Sequence, residues 1–368
     1  KKGLRGGVIY HDGQFDDSRM AITLALSADS KKTALLNYCN VEGLIKKDGE
    51  IKGLNFTDSI NSKKYQIKSK VVINATGVFA EEIIRMDQPK IEKMIQPSQG
   101  VHIVLERRFL KSKHAILIPQ TSDGRVLFAV PWKNYVVVGT TDTQVKKASE
   151  EPKALKEEVD FILKNAGKYM SVKPKKDDIK SVFAGLRPLA ATSNKQSTKE
   201  VSRSHKIDIS PSGLISVLGG KWTTYRKIAE DAINTAISIN KLKKKKCKTE
   251  RTKLFGFKRN VSWSDPMHVY GSLKKKVESL GGVCDNKSLS NKFYISNNII
   301  EWSIIHEMAL TVEDILARRT RCVFLDSKES KRIAPVVAQK MADVLGEDDK
   351  WIDAELKKFN KLIKNYIV

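Results

Sequence analysis

The sequence predicts an α/β (α+β) chain of 368 residues that ends in a small all-helical domain. Twice, a strand, a turn of small residues and a helix follow one another, around residues 74–77 and 219–220. A block of antiparallel hairpins lies between these two units. After residue 245 the strand pattern stops and amphipathic helical periodicity begins. We therefore predict two domains, residues 1–245 and 246–368.

The first domain opens with a stretch, residues 6–17, that begins like a strand and then becomes polar. A helix is expected next, because an acidic first turn suits the helix dipole. Short alternating segments, separated by turn residues, then predict strands. A buried strand runs into Asn74, Ala75, Thr76 and Gly77, and a helix follows. The predicted helices are 18–30 and 79–86, and the predicted strands are 33–44, 50–58, 65–69 and 71–73.

The hairpin block is predicted by alternating apolar residues and by two tight turns, 123–124 and 133–134. Its strands are 100–106, 115–119, 125–130 and 135–139. A helix over 153–169 and a strand over 181–186 follow. An antiparallel sheet beside a cofactor fold is suited to form the floor of a substrate site.

The second strand–turn–helix unit comprises a strand at 213–218 and a helix at 223–240. The stretch 240–250, with a lysine-rich run at 241–246, then resembles a solvated linker, with membrane or nucleic-acid contact as the alternative for the lysine run. Amphipathic periodicity predicts helices over 267–280, 298–317, 328–345 and 351–367 in the second domain.

The composition is that of a globular protein with a large basic excess, 67 Lys and Arg against 42 Asp and Glu. The net charge of +25 attracts nucleic acid, acidic lipid or a phosphorylated substrate, although scattered lysine is often only a solvated surface. Four distant cysteines form no CxxC motif, which indicates neither a zinc site nor a disulfide framework and fits the cytoplasm. No apolar run is long enough to span a bilayer. Because the chain begins at Lys1 in strand-like sequence, we expect it to be a fragment.

The turn after the strand 213–218 is the strongest candidate binding site. Gly219 and Gly220 allow a ligand to approach the backbone, and the helix start supplies free N–H groups and partial positive charge. Lys221 adds a full charge, and Thr223 and Thr224 can cap the helix or bind the ligand. The alternative is an ordinary strand-to-helix turn with a solvated lysine.

Two further side chains carry chemistry in this pattern. Arg187 lies at the end of a predicted strand and is followed by a proline. Its guanidinium can bind a phosphate or carboxylate through two nitrogens, or it can form a structural ion pair. His102, after a glycine at the start of a strand, can be a general base or a ligand anchor, or a structural residue. No P-loop, zinc signature, nucleophile elbow, RNA-binding motif or GxGxxG fingerprint is present.

Taken together, the motifs resemble those of the FAD-dependent glycerol-3-phosphate dehydrogenases. The resemblance covers roughly residues 5–345, and the set is specific although each motif alone is weak. The motifs, in chain order, are GVIYHDGQFDDSR (7–19), NATG (74–77), GTTD (139–142), GLRPL (185–189), GGKWTTYR (219–226) and EMALTVEDILARRTR (307–321).

This resemblance implies an FAD-binding Rossmann-like domain lacking its N-terminal part, an antiparallel substrate cap and a helical C-terminal domain. It implies that residues 74–77 (with Ala75, Thr76 and Gly77) and 219–224 line the flavin. Lys221 would lie near the isoalloxazine, where a positive charge stabilises the reduced, anionic flavin.

The resemblance also implies that Arg187 holds the phosphate of sn-glycerol 3-phosphate. We nominate His102 as the acceptor of the 2-hydroxyl proton while C2 passes hydride to flavin N5. With Lys221, these two residues are the predicted catalytic and substrate-binding set. No metal is expected.

Two departures from the family pattern qualify these expectations. The glycine-rich turn for the FAD pyrophosphate, and further substrate-binding arginines, are expected before residue 1. Gln99 stands where a basic residue is more usual, which removes one expected anion contact.

Three hypotheses about function follow. The first is a flavoenzyme that oxidises sn-glycerol 3-phosphate to dihydroxyacetone phosphate and passes electrons to quinone, peripheral to the cytoplasmic membrane on anionic lipid and possibly a homodimer. The second is an oxidase that uses oxygen, or a related amine or amino-acid oxidase. The third is a non-catalytic nucleic-acid-binding module, which leaves the GGKWTTYR motif and Arg187 without a role, so no nucleic-acid partner is expected.

Overall fold

A computed structural model of the chain describes residues 6–31, 33–190, 204–281 and 286–368. Its helices are Asp17–Asp29 (α1), Ala80–Asp87 (α2), Lys156–Ala166 (α3), Tyr225–Ile239 (α4), Lys274–Glu278 (α5), Asn297–Glu307 (α6), Cys322–Leu325 (α7), Ser327–Leu345 (α8) and Asp349–Leu362 (α9). Its strands are Cys39–Lys47 (β1), Glu50–Asp58 (β2), Lys64–Lys68 (β3), Ile73–Asn74 (β4), Ile95–Glu106 (β5), Ile116–Ile118 (β6), Leu127–Trp132 (β7), Tyr135–Gly139 (β8), Thr143–Gln144 (β9), Ser181–Ala190 (β10), His205–Ile209 (β11) and Ile215–Gly219 (β12).

The largest sheet of the described chain is antiparallel, in the order β10-β5-β8-β7-β6, with β9 paired to β5. The side chains along its strands alternate between two faces, and both faces are buried. Val101 and Ile103 of β5 pack in one core with Ile162 of α3, whereas Val104 faces a second core made by the C-terminal helices. Burial on both faces makes this sheet the centre of the molecule.

A smaller sheet brings the two strand–turn–helix units together. Strand β12 pairs in parallel with β4, with Ile215 opposite Ile73, and antiparallel with β11. Helices α2 and α4 follow β4 and β12, so both turns lie at the carboxyl ends of adjacent parallel strands. This is the edge at which open α/β sheets bind their ligands. Strands β1, β2 and β3 form a third, antiparallel sheet.

The largest core of the C-terminal helices is shared with the large sheet. Buried residues of α8, such as Val337 and Met341, share one hydrophobic cluster with Val104 and Tyr135 of the large sheet. Packing therefore marks no boundary at residue 245, and the division there stays a prediction.

Several predicted elements are confirmed within a few residues, and β2 and β8 match residue for residue. The strand expected at the start of residues 6–17 is wrong: residues 6–16 form no strand, and Val8 is 92% exposed. Strand β5 begins at Ile95, so His102 lies inside the strand and not at its start.

The single helix expected over 298–317 is also wrong, because α6 ends at Glu307 and Met308 adopts a left-handed φ of 58°. A π-helical turn follows at Asp314–Arg319. The Asp314 carboxylate accepts from the Leu310 amide at 3.0 Å, and it thereby fixes a loop where periodicity suggested a continuous helix.

Candidate functional site

The turn after β12 is built around two glycines with left-handed backbone. Gly219 has φ of 69° and Gly220 of 88°, a region that other residues rarely adopt. A Cβ on Gly220 would also lie 2.7 Å from Cδ1 of Ile228 in α4. The glycines therefore let α4 fold back closely against the sheet and leave the backbone uncovered on the other side.

The buried side-chain amide of Asn74 stabilises the turn after β4. Asn74 donates to the Ala80 carbonyl at 2.9 Å and to Oγ of Ser216 at 3.2 Å, and it accepts from Oγ1 of Thr76 at 2.7 Å. These bonds tie β4 to α2 and to β12. Thr76, predicted as a cofactor contact, is thus engaged inside the turn itself.

A cavity of about 570 Å³ lies between the two turns. It is lined by five residues of the predicted cofactor set, Ala75, Gly77, Gly219, Gly220 and Lys221. Its other lining residues are Ile73, Pro188, Val217, Trp222, Tyr225, Ile228, Ala229, Ala232 and Ile233. The structure therefore brings Ala75, Gly77 and residues 219–221 to one place.

The remaining predicted cofactor residues lie beside this cavity and do not line it. Thr223 and Thr224 belong to the 3-10 turn Trp222–Thr224 that precedes α4. Oγ1 of Thr224 donates to the Lys221 carbonyl at 3.0 Å, and neither threonine caps the helix with its side chain. The Thr224 side chain therefore holds the turn that carries Lys221.

The lining of the cavity fits one part of a flavin. Its apolar walls suit a flat ring system, and the bare backbone at Gly77 and Gly219 allows close approach because no Cβ intervenes. Lys221 is the predicted residue here with a full positive charge, and its side chain is exposed. That charge suits a ring edge that becomes anionic on reduction.

Arg187 lies over Gly100 of the neighbouring strand. The register pairs Gly185 with Gly100, and a Cβ on Gly100 would lie 2.5 Å from one terminal nitrogen of the guanidinium. The guanidinium donates to Oγ1 of Thr140 at 3.1 Å and to the Thr141 carbonyl at 3.2 Å. It also lies 3.5 Å from Oδ1 of Asp142. The GTTD motif is thus the loop that orients Arg187.

His102 lies two residues further along β5, on the same face as Gly100. Its imidazole stacks on Phe183 with ring centroids 5.2 Å apart, and it lies against Gly139 of β8. Among the described residues it has no hydrogen-bond partner. Burial, and then the charge of Arg187, lower the pKa of His102 to about 4. The ring is therefore neutral at pH 7, with a nitrogen lone pair to accept a proton.

Sequence reasoning missed the residue that supports this loop. Glu158 of α3 is buried, and its carboxylate accepts from Oγ1 of Thr141 at 2.9 Å and of Thr143 at 2.6 Å. It also accepts from Nε2 of Gln99 at 2.8 Å. Gln99 therefore contacts α3 and is not directed at a substrate anion. No motif marked Glu158, because its partners come from three separate elements.

Strand β10 connects the two halves of the site. It pairs Phe183 with His102, presents Arg187 over Gly100, and brings Pro188 into the lining of the cavity. A Cβ on Gly219 would lie 3.7 Å from the Pro188 carbonyl oxygen. The guanidinium and the glycine-lined cavity are therefore neighbours along a single strand.

Comparison with known proteins identifies the family of this chain. The family model for FAD dependent oxidoreductases matches residues 1–226. The chain belongs to the FAD dependent oxidoreductase family. A second model, the C-terminal domain of alpha-glycerophosphate oxidase, matches residues 215–352. The predicted fold class and the predicted cofactor, FAD, agree with this family.

Named relatives support the resemblance seen in the motifs. The chain is 33% identical to the mitochondrial glycerol-3-phosphate dehydrogenase of Bos taurus, over 99% of this chain and 54% of that protein. It is 35% identical to a probable mitochondrial glycerol-3-phosphate dehydrogenase of Dictyostelium discoideum, over 100% of this chain and 62% of that protein. The chain thus spans about half to three fifths of these relatives.

A solved structure supports the fold over almost the whole chain. The glycerol-3-phosphate dehydrogenase of Bacillus halodurans, complexed with FAD, superposes with a TM-score of 0.83 at 25% identity. The match covers 96% of this chain and 74% of that one. The resemblance to the glycerol-3-phosphate dehydrogenases is therefore confirmed.

The described residues hold neither a candidate membrane span nor a candidate metal site. No helix there has the length and apolar character needed to cross a membrane. No group of three or more His, Cys, Asp or Glu side chains in the same residues could hold a metal ion. Cys39, Cys247 and Cys322 are free thiols there, and Cys284 lies outside the described residues.

Proposed function

We propose that the complete protein oxidises sn-glycerol 3-phosphate to dihydroxyacetone phosphate with FAD as hydride acceptor. The observation that carries this proposal is the placement of Arg187 by β10, between the half-buried imidazole of His102 and the glycine-lined cavity. An anion-binding fork, a neutral base and a flavin-sized cavity on one strand suit a phosphorylated alcohol. Bound FAD would supply the two-electron acceptor.

Arg187 is proposed to bind the phosphate. Its guanidinium is already oriented by the Thr140 hydroxyl and the Thr141 carbonyl, which leaves a planar fork suited to two phosphate oxygens. Gly100 supports this arrangement because it leaves room for the guanidinium.

His102 is proposed to accept the proton of the 2-hydroxyl. A pKa near 4 makes the imidazole a weak base in the substrate-free protein, and part of that depression comes from Arg187. A phosphate bound to Arg187 would offset this charge and make His102 more basic. Substrate binding would in this way prepare its own general base.

The ammonium group of Lys221 is proposed to stabilise negative charge at the edge of the reduced flavin. Quinone is proposed as the electron acceptor. The net charge of +25 supports a peripheral position on the anionic cytoplasmic face of a membrane, where quinone is available. A homodimer remains part of this proposal. Oxygen is the alternative acceptor, favoured by the name of the matched C-terminal family, alpha-glycerophosphate oxidase.

The test is the visible absorption spectrum of the complete protein before and after anaerobic addition of sn-glycerol 3-phosphate. Bleaching of a flavin band is expected, and readmission of oxygen or of a soluble quinone then identifies the acceptor. A flavin band that persists would reject this substrate. Protein without any flavin would reject the assignment of the cavity.

A further inference from the structure

The chain between α4 and the C-terminal helices forms a distinctive surface, which we call the basic arm (residues 241–263). It carries ten Lys and Arg side chains and a single acidic one, Glu250. All ten are exposed. They are Lys241, Lys243, Lys244, Lys245, Lys246, Lys248, Arg251, Lys253, Lys258 and Arg259.

Aromatic side chains lie between the basic residues of the arm and are also exposed to solvent. Phe255 is 40% exposed, Phe257 is 51% exposed and Trp263 is 81% exposed. The ammonium of Lys253 lies 5.3 Å from the centroid of the Phe257 ring. Exposed aromatic rings flanked by basic side chains are typical of segments that lie at a membrane–water interface.

The basic arm is held against the FAD-binding part of the fold and is more than a solvated linker. The Phe255 amide donates to Oγ of Ser27 in α1 at 2.8 Å, and Arg226 of α4 donates to Oγ1 of Thr249 at 3.2 Å. These bonds fix the arm across the surface formed by the two helices.

An apolar cavity of about 630 Å³ lies beneath the arm. Its aliphatic walls include Leu24 of α1, Ile233 and Ile237 of α4, and Leu254 of the arm. Lys245 and Lys253 are at its rim. An apolar interior with a cationic rim complements a molecule with a hydrocarbon chain and an anionic head.

We propose that the basic arm is the surface by which this protein docks on an anionic lipid leaflet. Its lysines would contact headgroups, and Phe257 and Trp263 would enter the interfacial layer. Lipid is favoured over nucleic acid because the cavity beneath the arm is largely apolar, and its aliphatic side chains offer hydrocarbon contact but no hydrogen bonds to base edges. The inference rests on the proposed electron transfer to a membrane quinone, but lipid binding is measured without turnover.

The experiment compares three proteins for binding to vesicles of phosphatidylcholine with and without phosphatidylserine, and to duplex DNA. The first is the unaltered chain. The second combines Lys243→Gln, Lys244→Gln, Lys245→Gln and Lys246→Gln. The matched control combines Lys350→Gln, Lys357→Gln, Lys361→Gln and Lys364→Gln, which removes the same charge from exposed positions at α9. Flavin bleaching by substrate is followed in all three.

We expect the arm variant to bind phosphatidylserine vesicles at least about tenfold more weakly, since one lysine near an anionic leaflet contributes about fivefold. The control should change by less than about twofold. Trp263 fluorescence, identified by its loss in Trp263→Phe, should shift to the blue on these vesicles. Equal weakening of both variants, or tighter binding to DNA than to vesicles, would overturn the proposal. Neither result would alter the bleaching test, so the two proposals fail separately.

Discussion

The imidazole of His102 rests on Gly139, a residue of the adjacent strand that has no side chain to exclude it. The register of β5 and β8 pairs these two residues, and a Cβ on Gly139 would collide with Cδ2 of the imidazole. Phe183 stacks on the ring from the strand on the other side. The position of the proposed base is therefore determined by two neighbouring strands.

Gly139→Ala should consequently displace the ring. We expect a loss of about 1–3 kcal/mol in the free energy of unfolding, the range for overpacking a buried site, together with a lower kcat. Gly185→Ala is the matched control, because a Cβ there meets no atom within 4 Å. Urea unfolding and steady-state kinetics measure both effects. Wild-type kcat in Gly139→Ala would show that the ring position does not matter.

Arg187→Ala should lower kcat/KM for sn-glycerol 3-phosphate by about 10- to 150-fold, the equivalent of a lost charged hydrogen bond of about 1.5–3 kcal/mol. Arg187→Lys retains the positive charge without the planar fork, so its kcat/KM should lie between those of the wild type and of Arg187→Ala. Turnover of unphosphorylated glycerol should hardly change in either variant. An equal loss with both substrates would indicate that Arg187 supports the fold and does not bind phosphate.

Glu158→Gln should disturb the loop that orients Arg187. The buried carboxylate accepts from Thr141, Thr143 and Gln99, and an amide can satisfy only part of this set. We expect a higher KM with a smaller change in kcat, and a stability loss of about 1–3 kcal/mol. Exposed Glu157→Gln on the same helix is the control. An unchanged KM would remove Glu158 from the positioning of Arg187.

The depressed pKa of His102 predicts a pH dependence of stability. Burial and Arg187 lower this pKa from 6.5 to about 4, so between these values the unfolded chain binds a proton that the folded chain does not. The free energy of unfolding should therefore decrease as pH falls from about 6.5 to about 4. Urea unfolding of wild type and His102→Gln across this range isolates the contribution. If the free energy of unfolding changed with pH in the same way in the wild type and in His102→Gln, the contribution assigned to His102 would be contradicted.

A buried ion pair joins α1 to α6. Arg19 donates to both carboxylate oxygens of Glu307, at 2.8 and 3.0 Å, and Trp302 donates to the same carboxylate at 2.8 Å. Arg19→Met leaves this carboxylate buried without its cation and should cost about 3–5 kcal/mol. Lys52→Met, at an exposed pair with Glu50, should change stability by about 1 kcal/mol or less. Comparable effects in the two variants would contradict the burial argument.

The sequence by itself determined the chemistry and the order of the parts. Periodicity located most strands and helices, because the side-chain repeat of a strand and of a helix is local information. The two turns of small residues are recognisable because each stands between a predicted strand and a predicted helix, the order found in cofactor-binding α/β units. Motifs indicate Arg187 and Lys221, and position after a glycine in a strand indicates His102. The structure places Lys221 at the cavity and the other two beside one another on paired strands.

Only the tertiary structure decided which distant groups meet. The partners of Glu158 come from β5, β9 and the loop before it, and Arg19 pairs with a residue 288 positions away. The break at Met308 was likewise hidden, because the Asp314 carboxylate outweighs helical periodicity. Hydrogen bonds and ion pairs between distant elements depend on the packed three-dimensional arrangement, which no local repeat in a single sequence encodes.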